Sequence, residues 1–401
     1  MFVLFIIWKS FDFLISFTAP RFIPYLGFFP YREFLVDYNL PTFLSSFASF
    51  DGTQYLTLVR EGYNTYTQAY FPLYFLTVRL VSELFPMFHA ARIHNDLLAS
   101  LVLSNVSFLL GLYLFQKYLA LLFPKNKSII LWTTLFLLFF PTSFFFGAVY
   151  TEGLFFLLFF GSLYFLQKKN YWITSLFAVF ASTTRFIGIF LTIPFLFHFI
   201  DWNLIGRWGV KIKSLKFKFN YLTIATPLIG LCGYMVYLWK TVGDPLFFFN
   251  AQPAFGANRS THFILLPQVY YRYIKILFTA QWNFQYFISL TEVLFFTFIF
   301  VVLILDLIKN LLVPQSFNKA GKLRIKNFDL IALNFFSFVN LILPTLTGTF
   351  SSIPRYALFS ISAFIFLGGI KNIKLKIVLL SIFLILHTIL LGFFIQGYFV
   401  G

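Results

Sequence analysis

Long apolar runs recur along this 401-residue chain and constrain its fold more than any other feature. An α-helix needs about 20 apolar residues to cross the hydrocarbon core of a bilayer, and several of these runs approach that length. Hydrophobic residues make up 60% of the sequence, whereas an ordinary soluble domain has roughly 45–50%. The runs are continuous and do not alternate with polar residues, which argues against a β-barrel. The sequence therefore predicts an all-α, polytopic membrane protein.

The net charge of +17, from 30 Lys and Arg against 13 Asp and Glu, fits membrane topology better than nucleic-acid binding. The basic residues gather in short loops between apolar runs, as they do on the cytoplasmic side of a membrane. Anionic lipid headgroups favour the same arrangement, so membrane lipid is an expected partner and nucleic acid is not. We place five basic loops in the cytoplasm: 125–127, 168–169, 207–218, 309–326 and 371–376.

Orienting the apolar runs by these loops predicts a single integral membrane domain, 1–401, with about eleven spans. Its parts are a first span (1–19), a long extracytoplasmic segment (20–95) and the remaining bundle of spans (96–401). The predicted spans are 2–18, 96–123, 129–146, 154–166, 171–183, 186–200, 221–239, 284–308, 330–346, 356–369 and 377–395.

Two regions near the N-terminus carry charges within apolar sequence. In the first span, Lys9 and Asp12 stand three residues apart, on one helix face, and can partly neutralise each other. In the extracytoplasmic segment, the apolar stretch 72–85 contains Arg79 and Glu83. We interpret this stretch as a helix in the membrane interface, with a full span as the alternative.

A short polar segment between two apolar runs carries the first candidate catalytic residue, Asp51. Residues 49–56 read Ser-Phe-Asp-Gly-Thr-Gln-Tyr-Leu. Asp51 could cap a helix over 53–61, with Gly52 in a tight turn at positive φ. It could instead act as a general base that takes the proton of an acceptor hydroxyl. A cap needs no aromatic neighbours, so the second interpretation is favoured by Phe50, Tyr55, Tyr63, Tyr66, Tyr70 and Tyr74.

Three further charged residues interrupt apolar sequence on the predicted external side: Glu152, Arg185 and Arg355. An acid at membrane depth is unfavourable, so a functional role for Glu152 is the first hypothesis. The alternative is a charge at the start of a helix that Thr151 caps. The guanidinium groups have the geometry of a phosphate clamp, and the alternative for them is snorkelling or a structural salt bridge.

Polar and aromatic residues around these charges are predicted to bind substrate. The set consists of Gln54, Tyr55, Tyr63, Tyr70, Tyr150, Gln252 and His262. For Gln252 and His262, the general polarity of an external loop explains the residue type equally well.

No cofactor is predicted. The single cysteine, Cys232, allows no disulfide within the chain, and the five histidines lack zinc-ligand spacing. His387 lies within an apolar span and is expected to be packed there. A hard divalent cation held by Asp51 and Glu152 stays open, although nothing in the sequence requires one.

The segment around Asp51 resembles the signature of the PIG-V-like mannosyltransferases, "W-D-G-x-x-Y-L…G-Y…A-F-F-P-L-Y-P". Here residues 50–56 read Phe-Asp-Gly-Thr-Gln-Tyr-Leu, 61–63 read Glu-Gly-Tyr and 69–74 read Ala-Tyr-Phe-Pro-Leu-Tyr. Phe50 stands where the family usually has Trp, and Phe75 where it often has Pro. These substitutions leave the acidic residue intact.

Later blocks follow in the family's order, up to about Tyr356. Residues 140–143 (Phe-Pro-Thr-Ser) and 150–153 (Tyr-Thr-Glu-Gly) are similar to its "N-P-A-S…Y-T-E-S", and 184–188 (Thr-Arg-Phe-Ile-Gly) to its "R-x-x-G". Weaker similarities lie at 243–245 with Gln252, and at Arg355-Tyr356.

The resemblance implies a glycosyltransferase of the GT-C class, with a GT-C-like helical bundle. The implied donor is a polyprenyl- or dolichyl-phosphate sugar, commonly mannose, and the acceptor a glycan or glycolipid at the extracytoplasmic face. Transfer would invert the anomeric carbon, with Asp51 as general base and Glu152 orienting the substrates. Arg185 and Arg355 would bind the donor phosphate. We expect the protein in the cytoplasmic membrane of a prokaryote, with the site facing outward.

Two other function classes compete with this interpretation. A flippase or transporter of lipid-linked glycans also needs a basic cavity with aromatic walls, but internal repeats and acids deep within spans are expected of it. Asp51 and Glu152 instead lie at span ends, and no repeat is evident. A structural membrane protein would not explain the ordered blocks.

Overall fold

The computed structural model describes residues 1–26, 41–84, 92–199, 219–255, 259–312, 316–317, 323–324 and 328–400. Within these ranges the regular structure is helical, apart from two-residue antiparallel strands β1 (Ser316–Phe317) and β2 (Leu323–Arg324). The predicted basic loop 207–218 lies outside the described residues, as do parts of loop 309–326 and of segment 20–95.

The described residues form seventeen α-helices joined by short 3-10 turns. The α-helices are α1 (Phe2–Thr18), α2 (Thr42–Ser45), α3 (Asp51–Glu61), α4 (Pro72–Leu84), α5 (Arg92–Leu122), α6 (Lys127–Leu138), α7 (Glu152–Gln167), α8 (Tyr171–Thr184), α9 (Thr192–Phe199), α10 (Thr226–Val242), α11 (Phe247–Asn250), α12 (Leu266–Thr279), α13 (Phe284–Leu312), α14 (Phe328–Ile342), α15 (Ile353–Tyr356), α16 (Ile361–Gly368) and α17 (Ile373–Ile395). The 3-10 turns are Ala19–Arg21, Ser46–Ala48, Thr67–Ala69, Ser143–Gly147, Phe186–Leu191, Phe219–Ala225, Gln252–Phe255, Leu343–Thr347 and Ala357–Phe359.

Six helical segments of the described residues are long and apolar enough to cross a membrane, so the prediction of an all-α, multi-span membrane protein is confirmed. They coincide with six of the predicted spans. Each of the other five predicted spans also contains a helix, but α6, α7, α8, α9 and α16 have 16 residues or fewer. The six long segments are Phe2–Arg21, His94–Leu122, Asn220–Val242, Phe284–Leu312, Phe328–Thr347 and Ile373–Ile395.

Helix α4 covers the apolar stretch for which two interpretations were open. It has 13 residues, which at about 1.5 Å per residue is roughly 20 Å. The hydrocarbon core of a bilayer is about 30 Å thick. The described part of α4 is therefore shorter than the hydrocarbon core, a length compatible with a helix in the membrane interface.

The short helices α7 and α8 form a hairpin whose two ends differ in the residues they carry. Glu152 opens α7 and Arg185 follows α8, so both lie at one end of the hairpin. Lys168 and Lys169 form the turn at the other end. The 16 residues of α7 separate these ends by roughly 24 Å. This separation agrees with the predicted placement of basic loops on one side of the membrane and the candidate site on the other.

Close packing against α5 fixes the start of α7 beside the candidate site. A Cβ atom at Gly153 would lie 2.5 Å from the carbonyl oxygens of Ser104 on α5 and of Phe146. Only a glycine lets the backbones approach this closely, as is common between helices in membranes. The interior behind the site is filled by phenylalanine rings, including those of Phe140, Phe144, Phe145, Phe146, Phe155, Phe156, Phe159 and Phe160.

Buried charges tie the first long helix, α1, to the last, α17. The Asp12 carboxylate lies 2.8 Å from His387 Nε2 and 4.0 Å from Lys9 Nζ. Lys9 Nζ also donates to the carbonyl oxygen of Gly147, 3.3 Å away. The expected proximity of Lys9 and Asp12 is confirmed, and these contacts partly compensate the removal of charge from water. His387 is fully buried, as expected, and takes part in this polar cluster.

Candidate active site

Asp51 is the first residue of α3, and its carboxylate is turned away from the helix. Phe50 precedes it with a positive φ of 59°, and no side chain caps the helix. Asp51 Oδ1 accepts a hydrogen bond from the Tyr70 hydroxyl (3.0 Å), and Oδ2 lies 2.6 Å from Arg355 Nη1. The alternative in which Asp51 caps a helix over 53–61 is therefore wrong, because tertiary partners occupy both carboxylate oxygens.

The Asp51 loop is joined directly to the loop that leads into Glu152. The Tyr150 hydroxyl donates to the carbonyl oxygen of Ser49 (2.7 Å), and the Val149 amide donates to that of Phe47 (3.1 Å). Gly52 does not have the positive φ that the sequence suggested. Its role is close approach, because a Cβ at this position would lie 3.3 Å from the Val149 carbonyl oxygen.

Glu152 is buried between two arginines. Its Oε1 lies 2.5 Å from Arg185 Nη1 and 3.5 Å from Arg355 Nε. Thr151 occupies the predicted capping position, but its side chain caps nothing, and its hydroxyl instead accepts from Arg185 Nη1 (3.0 Å). The helix N-terminus still favours an acid at this position electrostatically.

Arg355 lies in the short helix α15, which other segments of the chain hold in place. The Thr142 hydroxyl donates to the carbonyl oxygen of Pro354 (2.6 Å), and the Asn340 amide donates to that of Tyr356 (2.7 Å). Thr142 belongs to the Phe-Pro-Thr-Ser block that was singled out in the sequence. One role of that block is thus to fix the backbone on either side of Arg355.

The four predicted charged side chains form a row of alternating sign, from Asp51 through Arg355 and Glu152 to Arg185. The Asp51 side chain is 31% exposed, whereas that of Glu152 is 1% exposed. Asp51 is thus the acid that a substrate can reach, and Glu152 is the acid that holds the two arginines. Both arginines also lie against aromatic rings, with guanidinium carbons 5.7 Å (Arg185) and 5.6 Å (Arg355) from the Tyr356 ring centroid.

The electrostatic surroundings keep Asp51 in its charged form. Burial by itself raises the pKa of Asp51, and the charge and hydrogen bond of Arg355 are the largest effects that lower it. The Tyr70 hydroxyl and the charge of Arg259 act in the same direction, so the pKa of Asp51 lies below its usual value. The carboxylate is therefore free to accept a proton at neutral pH.

The predicted substrate-binding tyrosines surround Asp51 in a connected group. The Tyr55 ring lies edge-on to those of Tyr70 and Tyr74, each at 5.0 Å between centroids. The Tyr63 hydroxyl donates to the carbonyl oxygen of Tyr70 (2.8 Å). Tyr150 is buried and its hydroxyl bonds Ser49, so it also supports the Asp51 loop.

The remaining residues predicted to bind substrate are Gln54, Gln252 and His262, and they differ in their contacts with the four charged side chains. Gln54 is half-buried on α3, one turn beyond Asp51. Gln252 Oε1 accepts from Arg259 Nη1 (3.1 Å). His262 is exposed, and no hydrogen bond or ion pair of the described residues joins its side chain to the four charges.

A divalent cation between the two acids would have to share space with a guanidinium group. Arg355 contacts both Asp51 and Glu152, and thus occupies the region between their carboxylates. The described residues contain no cluster of three or more His, Cys, Asp or Glu side chains able to hold a metal.

Two residues near the site, Tyr356 and Arg259, were not among those predicted from the sequence to act in catalysis or to bind substrate. The Tyr356 ring lies near the guanidinium groups of both Arg185 and Arg355. The charge of Arg259 also contributes to its electrostatic surroundings. Arg259 follows a polar stretch of the external loop, and only its proximity to Gln252 in sequence could have drawn attention to it.

Comparison with known proteins supports the resemblance seen in the sequence. No curated protein matches the chain. The family model described as mannosyltransferase (PIG-V) matches residues 4–201, a segment that contains Asp51, Glu152 and Arg185 but not Arg355. Over residues 4–201, this multi-span helical membrane protein belongs to the PIG-V mannosyltransferase family.

Proposed function

We propose that the protein is an inverting mannosyltransferase that uses a polyprenyl- or dolichyl-phosphate-linked donor and a glycan or glycolipid acceptor. The observation that carries the proposal is the Asp51 carboxylate, which is accessible, charged and held by Tyr70 and Arg355. Membership of the mannosyltransferase family supports the sugar class. The GT-C-like bundle of about eleven spans is part of the same proposal.

In the proposed reaction, Asp51 is the general base. The acceptor hydroxyl oxygen forms a bond to C1 of the sugar, and its proton passes to Asp51. The bond between C1 and the phosphate oxygen breaks, and its electron pair leaves with the phosphate. A single base is sufficient for this displacement, whereas retention would need a carboxylate nucleophile and a second acid.

Arg355 couples the two charge movements of the proposed reaction. Its guanidinium neutralises Asp51 before the reaction. When Asp51 takes the proton, the carboxylate loses its charge and Arg355 is released to the leaving phosphate, which gains a negative charge at the same moment. Charge that develops in the transition state is stabilised most by groups that are already in place.

Glu152 and Arg185 complete the proposed site as positioning residues. Glu152 holds both arginines and is nearly inaccessible to substrate. Arg185 Nη1 bonds both Thr151 and Glu152, and its guanidinium lies over the rings of Phe155, Tyr356 and Phe359. In this proposal, the site faces outward from a prokaryotic cytoplasmic membrane, opposite the basic loops.

Transfer and transport can be separated in one experiment. Protein in liposomes is supplied with polyprenyl-phosphate-[³H]mannose and a membrane glycolipid fraction as acceptor, and protein-free liposomes are the control. The proposal predicts label in the glycolipid with inverted anomeric configuration. Passage of unchanged donor across the bilayer without transfer would indicate a flippase, and retained configuration would contradict the single-base mechanism.

A further inference from the structure

Arg259 lies outside residues 4–201 and approaches the row of four charges formed by Asp51, Arg355, Glu152 and Arg185. Its Nη1 donates to Gln252 Oε1 (3.1 Å), which restrains the guanidinium group. The following residues are bonded to the turn after α14, because the Ser260 amide donates to the carbonyl oxygen of Thr347 and that of Ile264 to Leu346, each at 2.9 Å. The backbone next to Arg259 is therefore fixed relative to α15, which begins a few residues beyond that turn.

The charge of Arg259 contributes to the electrostatic surroundings of the candidate site. It influences Asp51 and Tyr356, and also Glu292 on α13. Glu292 already accepts hydrogen bonds from the Tyr273 hydroxyl (2.7 Å) and from the Ser352 backbone amide. The charge of Arg259 thus adds to the electrostatic surroundings of the accessible acid Asp51, while Glu292 has hydrogen-bond partners of its own.

Arg259 differs from the other two arginines in its charge balance. Arg355 lies 2.6 Å from Asp51, and Arg185 lies 2.5 Å from Glu152. In the described part of the chain, no carboxylate lies within 4.0 Å of the Arg259 guanidinium. Arg355 and Arg185 are paired with Asp51 and Glu152, whereas Arg259 forms no such ion pair within the described residues.

We propose that Arg259, held by Gln252, is the residue that binds the phosphate of the lipid-linked donor. This inference rests on the proposed function and names the donor ligand of that site. A guanidinium group offers a planar fork of donors that matches a phosphate, and it stays charged under all physiological conditions. A donor phosphodiester carries a single negative charge, which a single uncompensated arginine balances.

The same arrangement gives the donor a second effect. A phosphate bound by Arg259 offsets a positive charge that otherwise lowers the pKa of Asp51. Donor binding thus makes Asp51 a stronger base. The base is strengthened only when the donor, and with it the leaving group, is in place.

Direct binding measurements test the inference without turnover. The full-length protein in detergent is titrated with a fluorescent polyprenyl monophosphate, the leaving group of the proposed reaction. Loss of a charge-assisted contact predicts at least tenfold weaker binding by Arg259→Ala and partial recovery in Arg259→Lys. Lys275→Ala, which removes an exposed charge from the nearby α12, is the matched control and should bind as the wild type does.

The outcomes separate this inference from the proposed function. If the wild type binds polyprenyl monophosphate and Arg259→Ala binds it within twofold, Arg259 is not the phosphate ligand, although the transferase proposal stands. If the wild type does not bind it at all, both proposals fail. A second titration uses phosphatidylglycerol. If Arg259→Ala weakens the binding of both lipids equally, the site binds anionic lipids in general and the inference is overturned. Size-exclusion profiles identify any variant that fails to fold. If Arg259→Ala is such a variant, the affinity of Arg259→Lys relative to the wild type decides the question.

Discussion

Arg355 Nη1 lies 2.6 Å from Asp51 Oδ2, although 304 positions separate these residues in the sequence. This pair joins the segment that the PIG-V family model covers to a residue outside it. The proposed reaction centres on this pair, because Arg355 keeps Asp51 charged and supplies a cation when Asp51 is protonated.

Replacing Arg355 with Ala should move the acidic limb of the pH–rate profile to higher pH. Arg355 lowers the pKa of Asp51 and burial raises it, so the pKa rises when the arginine is removed. Activity that needs the deprotonated carboxylate is then lost at a higher pH as the solution is acidified. We also expect kcat at the optimum to fall by about a hundredfold or more. Arg355→Lys keeps the charge and should show a smaller shift; an acidic limb unchanged in Arg355→Ala would refute the coupling.

Removing the Tyr70 hydroxyl should weaken catalysis without affecting folding. Tyr70→Phe loses the 3.0 Å hydrogen bond to Asp51 but keeps the ring that packs edge-on against Tyr55. A hydrogen bond to a charged group contributes roughly 1.5–3 kcal/mol, so we expect kcat to fall about tenfold. The control is Tyr271→Phe, which removes the hydroxyl of an exposed tyrosine on α12. Equal loss in both variants would show that the Asp51 bond has no special role.

Thr142→Val should reduce both stability and activity, because it leaves the carbonyl oxygen of Pro354 without its donor. An unsatisfied buried carbonyl costs about 1–3 kcal/mol, and the backbone beside Arg355 loses an anchor. Thermal unfolding in detergent and mannose transfer measure the two effects. The control is Thr174→Val, because the hydroxyl that it removes donates to a carbonyl oxygen within the same helical turn. If that control lost as much activity as Thr142→Val, the link between residues 140–143 and Arg355 would be disproved.

A pair of Gly→Ala substitutions tests the close approach of α7 to α5. Gly153→Ala places a Cβ 2.5 Å from two backbone carbonyl oxygens, so one of the helices must shift. Overpacking of this kind costs about 1–3 kcal/mol or more. Gly233→Ala in α10 meets no atom within 4 Å, and should leave stability unchanged or raise it by roughly 0.5–1 kcal/mol. Similar unfolding temperatures for the two variants would contradict the packing described here.

Helix positions and chemistry-bearing residues could be predicted from the sequence because each depends on local pattern. The apolar run 2–18 predicts helix α1 with the bounds that the structure has. Asp51, Glu152, Arg185 and Arg355 each stand out as a charge within apolar sequence, and loop charges alone place them on one side of the membrane.

The partners of these residues could not be predicted, because they depend on tertiary contacts between distant segments. Asp51 has the residue type and position of a helix cap, but Arg355 and Tyr70 bind its carboxylate. Gly52 follows Asp as in a tight turn, yet it serves close packing against Val149, and Phe50 has the positive φ. Arg259 has no local pattern at all; only the folded chain brings its charge to Asp51.

Mannose transfer by Asp51→Asn tests the central claim most directly. Asparagine keeps the size of the side chain, but it cannot accept the proton of the acceptor hydroxyl, and its amide nitrogen replaces one of the two oxygens that accept from Tyr70 and Arg355. Glu61→Gln, an exposed acid at the other end of α3, is the matched control. We expect wild type and Glu61→Gln to transfer label from polyprenyl-phosphate-[³H]mannose to glycolipid, and a normally folded Asp51→Asn to show at most about a hundredth of that rate. Transfer by Asp51→Asn at the wild-type rate would contradict the role of Asp51 as the base.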